Sequence, residues 1–215
     1  EAFLDAAEQL GYPLCEDQND PQGWGAGPQP MNKIGRLRVS SAGAYLAPIR
    51  LRPNLEIRSQ STVTRLLFDN KKCIGAEVLT LTGETKRYEA KTTVLCAGAI
   101  ISPAIMLRSG IGPKEELEAL GITKVVDVPG VGKNLCDHPA LAVVAHVKPG
   151  VQINRDDPII QTILRYTAEG SDKRNDLQIE QISFAGTEKT PPAFSIAAVL
   201  EYQYGRGELT LQSAD

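Results

Sequence analysis

The chain has 215 residues, with Lys+Arg 23 against Asp+Glu 26 and a formal charge of −3. It therefore has no basic footprint pointing to nucleic acid or an anionic membrane. The length suffices for one or two domains with a sizeable core, and no apolar run of about 18 residues suggests a membrane span. Glu1-Ala2-Phe3-Leu4-Asp5 lacks the basic start of a signal peptide, so a soluble, cytoplasmic protein is expected, with a leader further upstream left open.

Residues 1–10 place Ala2, Phe3, Ala6, Ala7 and Leu10 near helical spacing before Gly11, which predicts a short amphipathic helix. Residues 12–35 are rich in Pro, Gly, Asn and Asp and predict a long loop. Asp17-Gln18-Asn19-Asp20 has the look of a calcium loop. Pro21 and Gln22 stand where a ligand and a glycine belong, so a turn is the better reading, and no metal is expected. The Ser40-Ser41 pair before an Ala-rich run predicts a helix start. Arg36 and Arg38 just before it read as solvated charges, with an approach to a phosphate as the alternative.

From residue 54 the pattern turns to β. Strands are expected over 55–58, 61–68, 74–81 and 84–90, with turns at 69–72 and 82–83. The last three make an antiparallel meander. Residues 93–97, Thr93-Val94-Leu95-Cys96-Ala97, are apolar without polar alternation and predict a central strand of a parallel sheet, buried on both faces. It ends at Gly98, where small residues let the main chain approach a ligand. Next comes a helix with Ser102 as N-cap, Pro103 at its first position and Gly110 as its stop, then a second between Pro113 and Gly121. Turns at Pro129-Gly130 and Gly132 lead into Asn134-Leu135-Cys136-Asp137-His138-Pro139. After it the pattern predicts a strand over 141–147, a helix over 157–166 capped by Asp157, and strands over 176–184 and 194–204. Cys15, Cys73, Cys96 and Cys136 have no CxxC spacing and read as free, mostly buried thiols.

Two of these stretches carry a family resemblance. Gly98-Ala99-Ile100-Ile101-Ser102-Pro103, continuing through Leu107-Arg108-Ser109-Gly110-Ile111-Gly112, resembles the second signature of the glucose-methanol-choline (GMC) oxidoreductases, choline dehydrogenase-like members included. Pro129-Gly130-Val131-Gly132-Lys133-Asn134-Leu135-Cys136-Asp137-His138-Pro139 is similar to a segment found at the usual distance after it. Gly11-Tyr12-Pro13, the loop from Asp17 to Gly23, the element from Arg36 to Leu46 and the terminal 205–215 strand also look like family segments.

The resemblance implies a fold mixing α/β and α+β parts. Residues 1–35 would be a loop-rich segment bordering the substrate site. Residues 36–139 would be part of a Rossmann-like FAD-binding domain with a β-meander, and 140–215 part of an antiparallel-sheet substrate domain. It implies FAD as cofactor, with Val63, Ala97 and Gly98 toward the adenine end, Asn134, Asp137 and His138 toward the flavin, and Cys96 also among the cofactor-binding residues. Val63 read from its strand alone is a plain sheet residue. Trp24 has two readings, a place near the substrate cavity or an aromatic cap under a loop.

The implied chemistry is oxidation of a small-molecule alcohol by hydride transfer to the flavin, with a histidine-containing pair taking the hydroxyl proton. His138 and His146 are the only histidines, and neither sits in a motif matching that pair. His138 reads as ordering its loop, His146 as a half-buried sheet residue. No catalytic residue is assigned. The glycines also lack the GxGxxG context of a dinucleotide fingerprint, so the expectation is an internal fragment of a flavoprotein that is inactive alone. A non-catalytic structural or interaction module and a flavin-containing lyase are the alternatives.

Overall fold

The computed structural model describes residues 1–154, 156–185 and 193–214. In chain order its elements are α1 (Ala2–Gln9), β1 (Gly25–Pro28), β2 (Lys33–Ile34), β3 (Leu37–Arg38), β4 (Ser61–Asp69), β5 (Lys72–Thr80), β6 (Thr85–Glu89), α2 (Gly98–Arg108), β7 (Ile111–Gly112), α3 (Lys114–Ala119), β8 (Val126–Asp127), β9 (Ala140–His146), β10 (Ile160–Tyr166), β11 (Leu177–Ala185) and β12 (Ala193–Leu200). Two compact units result. One comprises Glu1–Arg52 and Asp137–Tyr204, the other Pro53–Cys136 and Gly205–Asp215. No helix among the described residues is long and apolar enough to cross a membrane.

The first unit is built on a five-stranded antiparallel sheet in the order β1-β10-β11-β12-β9. Direct cross-strand partners share a face, so Ala26, Leu164, Ile179, Ala198 and Leu141 form one row across all five strands. Helix α1 lies over the start of that row, where Ala7, Ala26 and Leu164 are buried with Phe3 and Leu4 packed around them. The expected helix over 157–166 is instead strand β10. Ile160, Thr162 and Ile163 suit a pleated surface, and pairing with β1 on one side and β11 on the other satisfies the backbone in a way that overrides the Asp157 cap signal. The expected loop over 12–35 likewise gives up residues 25–28 to the sheet as β1. The Ser40-Ser41 helix start is realised as a π-helical turn, Ala42–Leu46, with Ser40 Oγ accepting from the Gly43 N–H at 3.2 Å.

The second unit holds the meander as expected, in the order β4-β5-β6. Helix α2 is fastened to it near its C-terminal end. Arg108 Nε donates to the Thr64 carbonyl at 3.1 Å, and Ser109 Oγ accepts from the Leu66 N–H at 2.7 Å. Leu107, Leu117 and Val131 form the buried cluster beneath, with Leu209 and Leu211 packed against it.

Several expectations fail here. Residues 55–58 and 93–97 form no strand, and Val94 is 78% exposed. A parallel strand buried on both faces requires neighbours in register on each side; among the described residues parallel ladder pairing is confined to β7 with β8. The α2 helix starts at Gly98, four residues before the expected cap, and Pro103 lies inside it. Ser102 still serves the helix start, accepting the Ala97 N–H on Oγ at 3.0 Å. The tail expected as a strand makes a single bridge, Gly207 with Leu135; its last residue, Asp215, lies outside the described residues.

Candidate functional site

The residues singled out from the sequence occupy three places. Cys96, Ala97 and Gly98 form the exposed turn that opens α2. Gly98 has φ +88 with open space where a Cβ would stand. The helix start has no side-chain cap hydrogen bond at its N-cap, Ala97, so main-chain donors face solvent there, and an eleven-residue helix adds its dipole. Thr93, just before the turn, carries a buried hydroxyl with no hydrogen-bond partner among the described residues. Free helix-start donors are chemically suited to a polar, anionic group such as one end of a dinucleotide.

Val63 sits half-buried on β4, opposite Val78 and next to an irregularity in the ladder between Val63 and Arg65. The two hydrogen bonds from Arg108 and Ser109 tie this part of β4 to α2, the same helix that carries the Cys96–Gly98 turn at its other end. The structure thus links these four residues through one element.

Asn134 belongs to the same unit. It adopts φ +60, a left-handed conformation that asparagine tolerates better than most residues, and its side chain is exposed. The segment is pinned by mutual backbone bonds of Leu135 and Gly207 at 3.0 and 2.8 Å, and by the Leu209 N–H donating to Gly132 O at 2.7 Å. Gly132 is required there. It has φ +81, and a Cβ would collide with the Leu209 carbonyl oxygen. Lys133 is held by Glu116 at 2.6 Å and Glu208 at 3.0 Å; these carboxylates, Glu116 first, push its ammonium above the usual lysine range.

Asp137 and His138 fall in the other unit. Asp137 Oδ1 accepts the His138 N–H at 2.9 Å, and His138 Nδ1 lies 3.3 Å from Glu201 Oε2. That contact is an ion pair only when the imidazole is protonated. His146 is exposed at the end of edge strand β9, not half-buried. The four cysteines are free thiols, and the expectation of mostly buried ones is corrected: Cys15 is buried and Cys73 half-buried, whereas Cys96 and Cys136 are exposed.

Trp24, 46% exposed, lines a cleft of about 580 Å³ in the first unit with Tyr12, Tyr166, Glu169, Arg174 and Asn175 among its walls. Tyr12 and Tyr166 meet edge to face with centroids 5.4 Å apart. Burial, and then the charges of Tyr12 and Asp176, push the Tyr166 phenol above its ordinary range. Of these residues the sequence reading drew attention to Tyr12 and Trp24; Tyr166, Glu169 and Asn175 are far away in sequence, and no local pattern marks them.

With this geometry in place, comparison with known proteins is informative. The GMC oxidoreductase family matches residues 1–140. An uncharacterised GMC-type oxidoreductase of Rhodococcus erythropolis is 32% identical over 217 residues, covering 99% of this chain and 42% of that protein. Human mitochondrial choline dehydrogenase is 36% identical over 177 residues, covering 79% of this chain and 30% of its own length. Among solved structures, pyridoxine 4-oxidase from Mesorbium loti superposes with a TM-score of 0.87 at 26% identity, over 100% of this chain and 44% of its own. The chain spans less than half the length of each of these proteins.

Proposed function

The chain belongs to the GMC oxidoreductases, and on that premise we propose that it forms part of an FAD-dependent alcohol oxidoreductase, with Val63, Cys96, Ala97 and Gly98 serving the adenine end of the cofactor and Asn134, Asp137 and His138 its flavin end. The observation that carries this reading is the uncapped, solvent-open turn at Gly98, which lies at the head of the signature helix and offers main-chain donors. When bound, FAD supplies the hydride acceptor for oxidation of a small alcohol. The residues of this chain bind and orient: Ser102 fixes the turn through the Ala97 N–H, Gly132 lets the 205–211 segment close against the Asn134 loop, and Glu201 stands beside His138.

A proton-abstracting role is not assigned to either histidine. His138 lies exposed beside Glu201, and His146 stands on an exposed sheet edge. The chain by itself is therefore expected to be inactive toward alcohols. Titrating it into FAD and following flavin fluorescence, with circular dichroism to establish folding, tests the binding assignment. Saturable quenching that ADP competes away supports the adenine-end residues. A folded chain that leaves flavin fluorescence unchanged sinks the assignment of these residues as a sufficient binding surface.

A further inference from the structure

The five-stranded sheet of the first unit has two edges, and they are finished differently. Beyond β1 the chain closes the edge itself. The Cys15 N–H donates to the Ala26 carbonyl at 2.7 Å and the Ala26 N–H donates to the Pro13 carbonyl at 2.9 Å, and Pro28 ends the strand without an N–H to offer. In the second unit the free edge of the meander, β6, carries Lys86, Arg87 and Glu89, charges of the kind that keep edges from pairing. Strand β9 has neither device. It pairs with β12 alone among the described residues, and its register runs unbroken from Ala140 to His146. The run Ala140-Leu141-Ala142-Val143-Val144-Ala145 holds no charge, proline or glycine. A regular, uncharged open edge is a template for another strand.

The ladder fixes which backbone groups are open. The Leu200 N–H donates to the Pro139 carbonyl at 3.0 Å, and Val199 faces Ala140 in the register. Hydrogen-bonded and non-hydrogen-bonded positions alternate along an antiparallel pair. Leu141, Val143 and Ala145 therefore turn their N–H and C=O groups to β12, while Ala142 and Val144, with Ala140 and His146 at the ends, turn theirs outward. The side chains decide what kind of strand fits. Laid antiparallel on itself with Val143 opposite Val143, the segment sets Val144 against Ala142, Leu141 against Ala145 and His146 against Ala140. Each larger side chain except Val143 meets an alanine, and no two like charges stand opposite. In that register the outward groups also face one another, giving about eight backbone hydrogen bonds.

From this self-complementarity we propose that β9 is the docking edge for a second copy of this chain, paired antiparallel across a two-fold axis at Val143. The two five-stranded sheets then run on as one. Pairing uses up the open edge of each copy, so association stops at the dimer.

Sedimentation velocity of the chain from about 1 to 100 μM tests the pairing, with circular dichroism to establish folding. The expected result is a concentration-dependent monomer–dimer equilibrium. Val143 is exposed, so Val143→Lys and Val143→Glu leave the fold intact, and each sets like charges opposite one another across the axis. Either substitution is expected to weaken dimerisation by about tenfold. An equimolar mixture of the two variants opposes unlike charges instead and should recover dimer at the wild-type concentration. A wild type that stays monomeric throughout, a dimer indifferent to both variants, or growth beyond the dimer would overturn the proposal. Loss of association in both variants without recovery on mixing would place the contact on the apolar sheet face, and the pairing at Val143 would fall with it.

Discussion

A single row of side chains crosses the five-stranded sheet, and its two ends lead opposite lives. At the β1 end Ala26 and Leu164 are 0% and 4% exposed beneath α1, whereas at the β9 end Leu141 stands 75% exposed. The residues are equally apolar, and the strands pair equally well across the row. The difference is the covering layer. Helix α1 has eight residues, about 12 Å of length, and its apolar side chains cluster with Ala26 and Leu164. The β9 half, with Val143 and Ile196 beside Leu141, presents the same chemistry to solvent. Hydrophobic burial is thus decided by what lies above the sheet, not by the alternation along a strand.

Truncations at the two ends sharpen this contrast most. Leu164→Ala is expected to cost about 2–5 kcal/mol in urea denaturation because the cavity under α1 cannot close, while Leu141→Ala should shift stability by no more than about 0.5 kcal/mol. Equal losses would mean that β9 is covered in solution. A smaller effect separates two glycines of the second unit. Gly132→Ala combines a left-handed backbone with collision against the Leu209 carbonyl and should cost about 3 kcal/mol. Gly98→Ala meets only the backbone term, about 1 kcal/mol. If the two losses match, the 205–211 segment does not seat against Gly132.

The smallest expected effect is a pH dependence, and it extends the contrast to charged groups. The hydrogen bond from Arg65, aided by the Arg65 charge, Thr64 and Arg87, holds the Glu77 carboxyl below its ordinary range. A carboxyl lowered on folding contributes its stabilisation in full above the unfolded value of about 4.3 and loses it as pH falls through the folded one. Denaturation midpoints of the wild type should therefore fall below about pH 4 more steeply than those of Glu77→Gln. Parallel curves for the two proteins would show that the Arg65–Glu77 pair adds nothing. His138 offers a contrasting case, an exposed imidazole beside Glu201, and Glu201→Gln tests its orientation through the NMR shift of its ring protons, which should move without unfolding the chain.

The meander, α1, α3 and the β9, β11 and β12 strands were legible because their signals are local. Turn residues, helix stops and period-two alternation act over a few positions. The Cys96–Gly98 turn and the Asn134–His138 loop were legible as motifs, and the residues of both are exposed. The reading failed where the deciding partner was remote. Residues 160–166 carry a cap signal and an apolar run that suits either helix or strand, and only the pairing of β10 with β1 and β11, more than 100 residues and about 20 residues away respectively along the chain, resolves it. Residues 93–97 look like a buried strand in composition, yet burial and pairing require neighbours that composition does not supply.

By itself, then, the sequence determined the family and the local grammar of this chain: which segments turn, which helices stop at Gly110 and Gly121, and where glycine lets the backbone come close. Tertiary structure decided the rest. It carries the chain from the first compact unit to the second after Arg52, back to the first after Cys136 and to the second again after Tyr204, covers one half of an apolar row with α1, and gathers Tyr12, Trp24, Tyr166, Glu169 and Asn175 around one cleft. Those outcomes depend on contacts between residues far apart along the chain, and a periodicity that repeats every two or 3.6 residues carries no information about them.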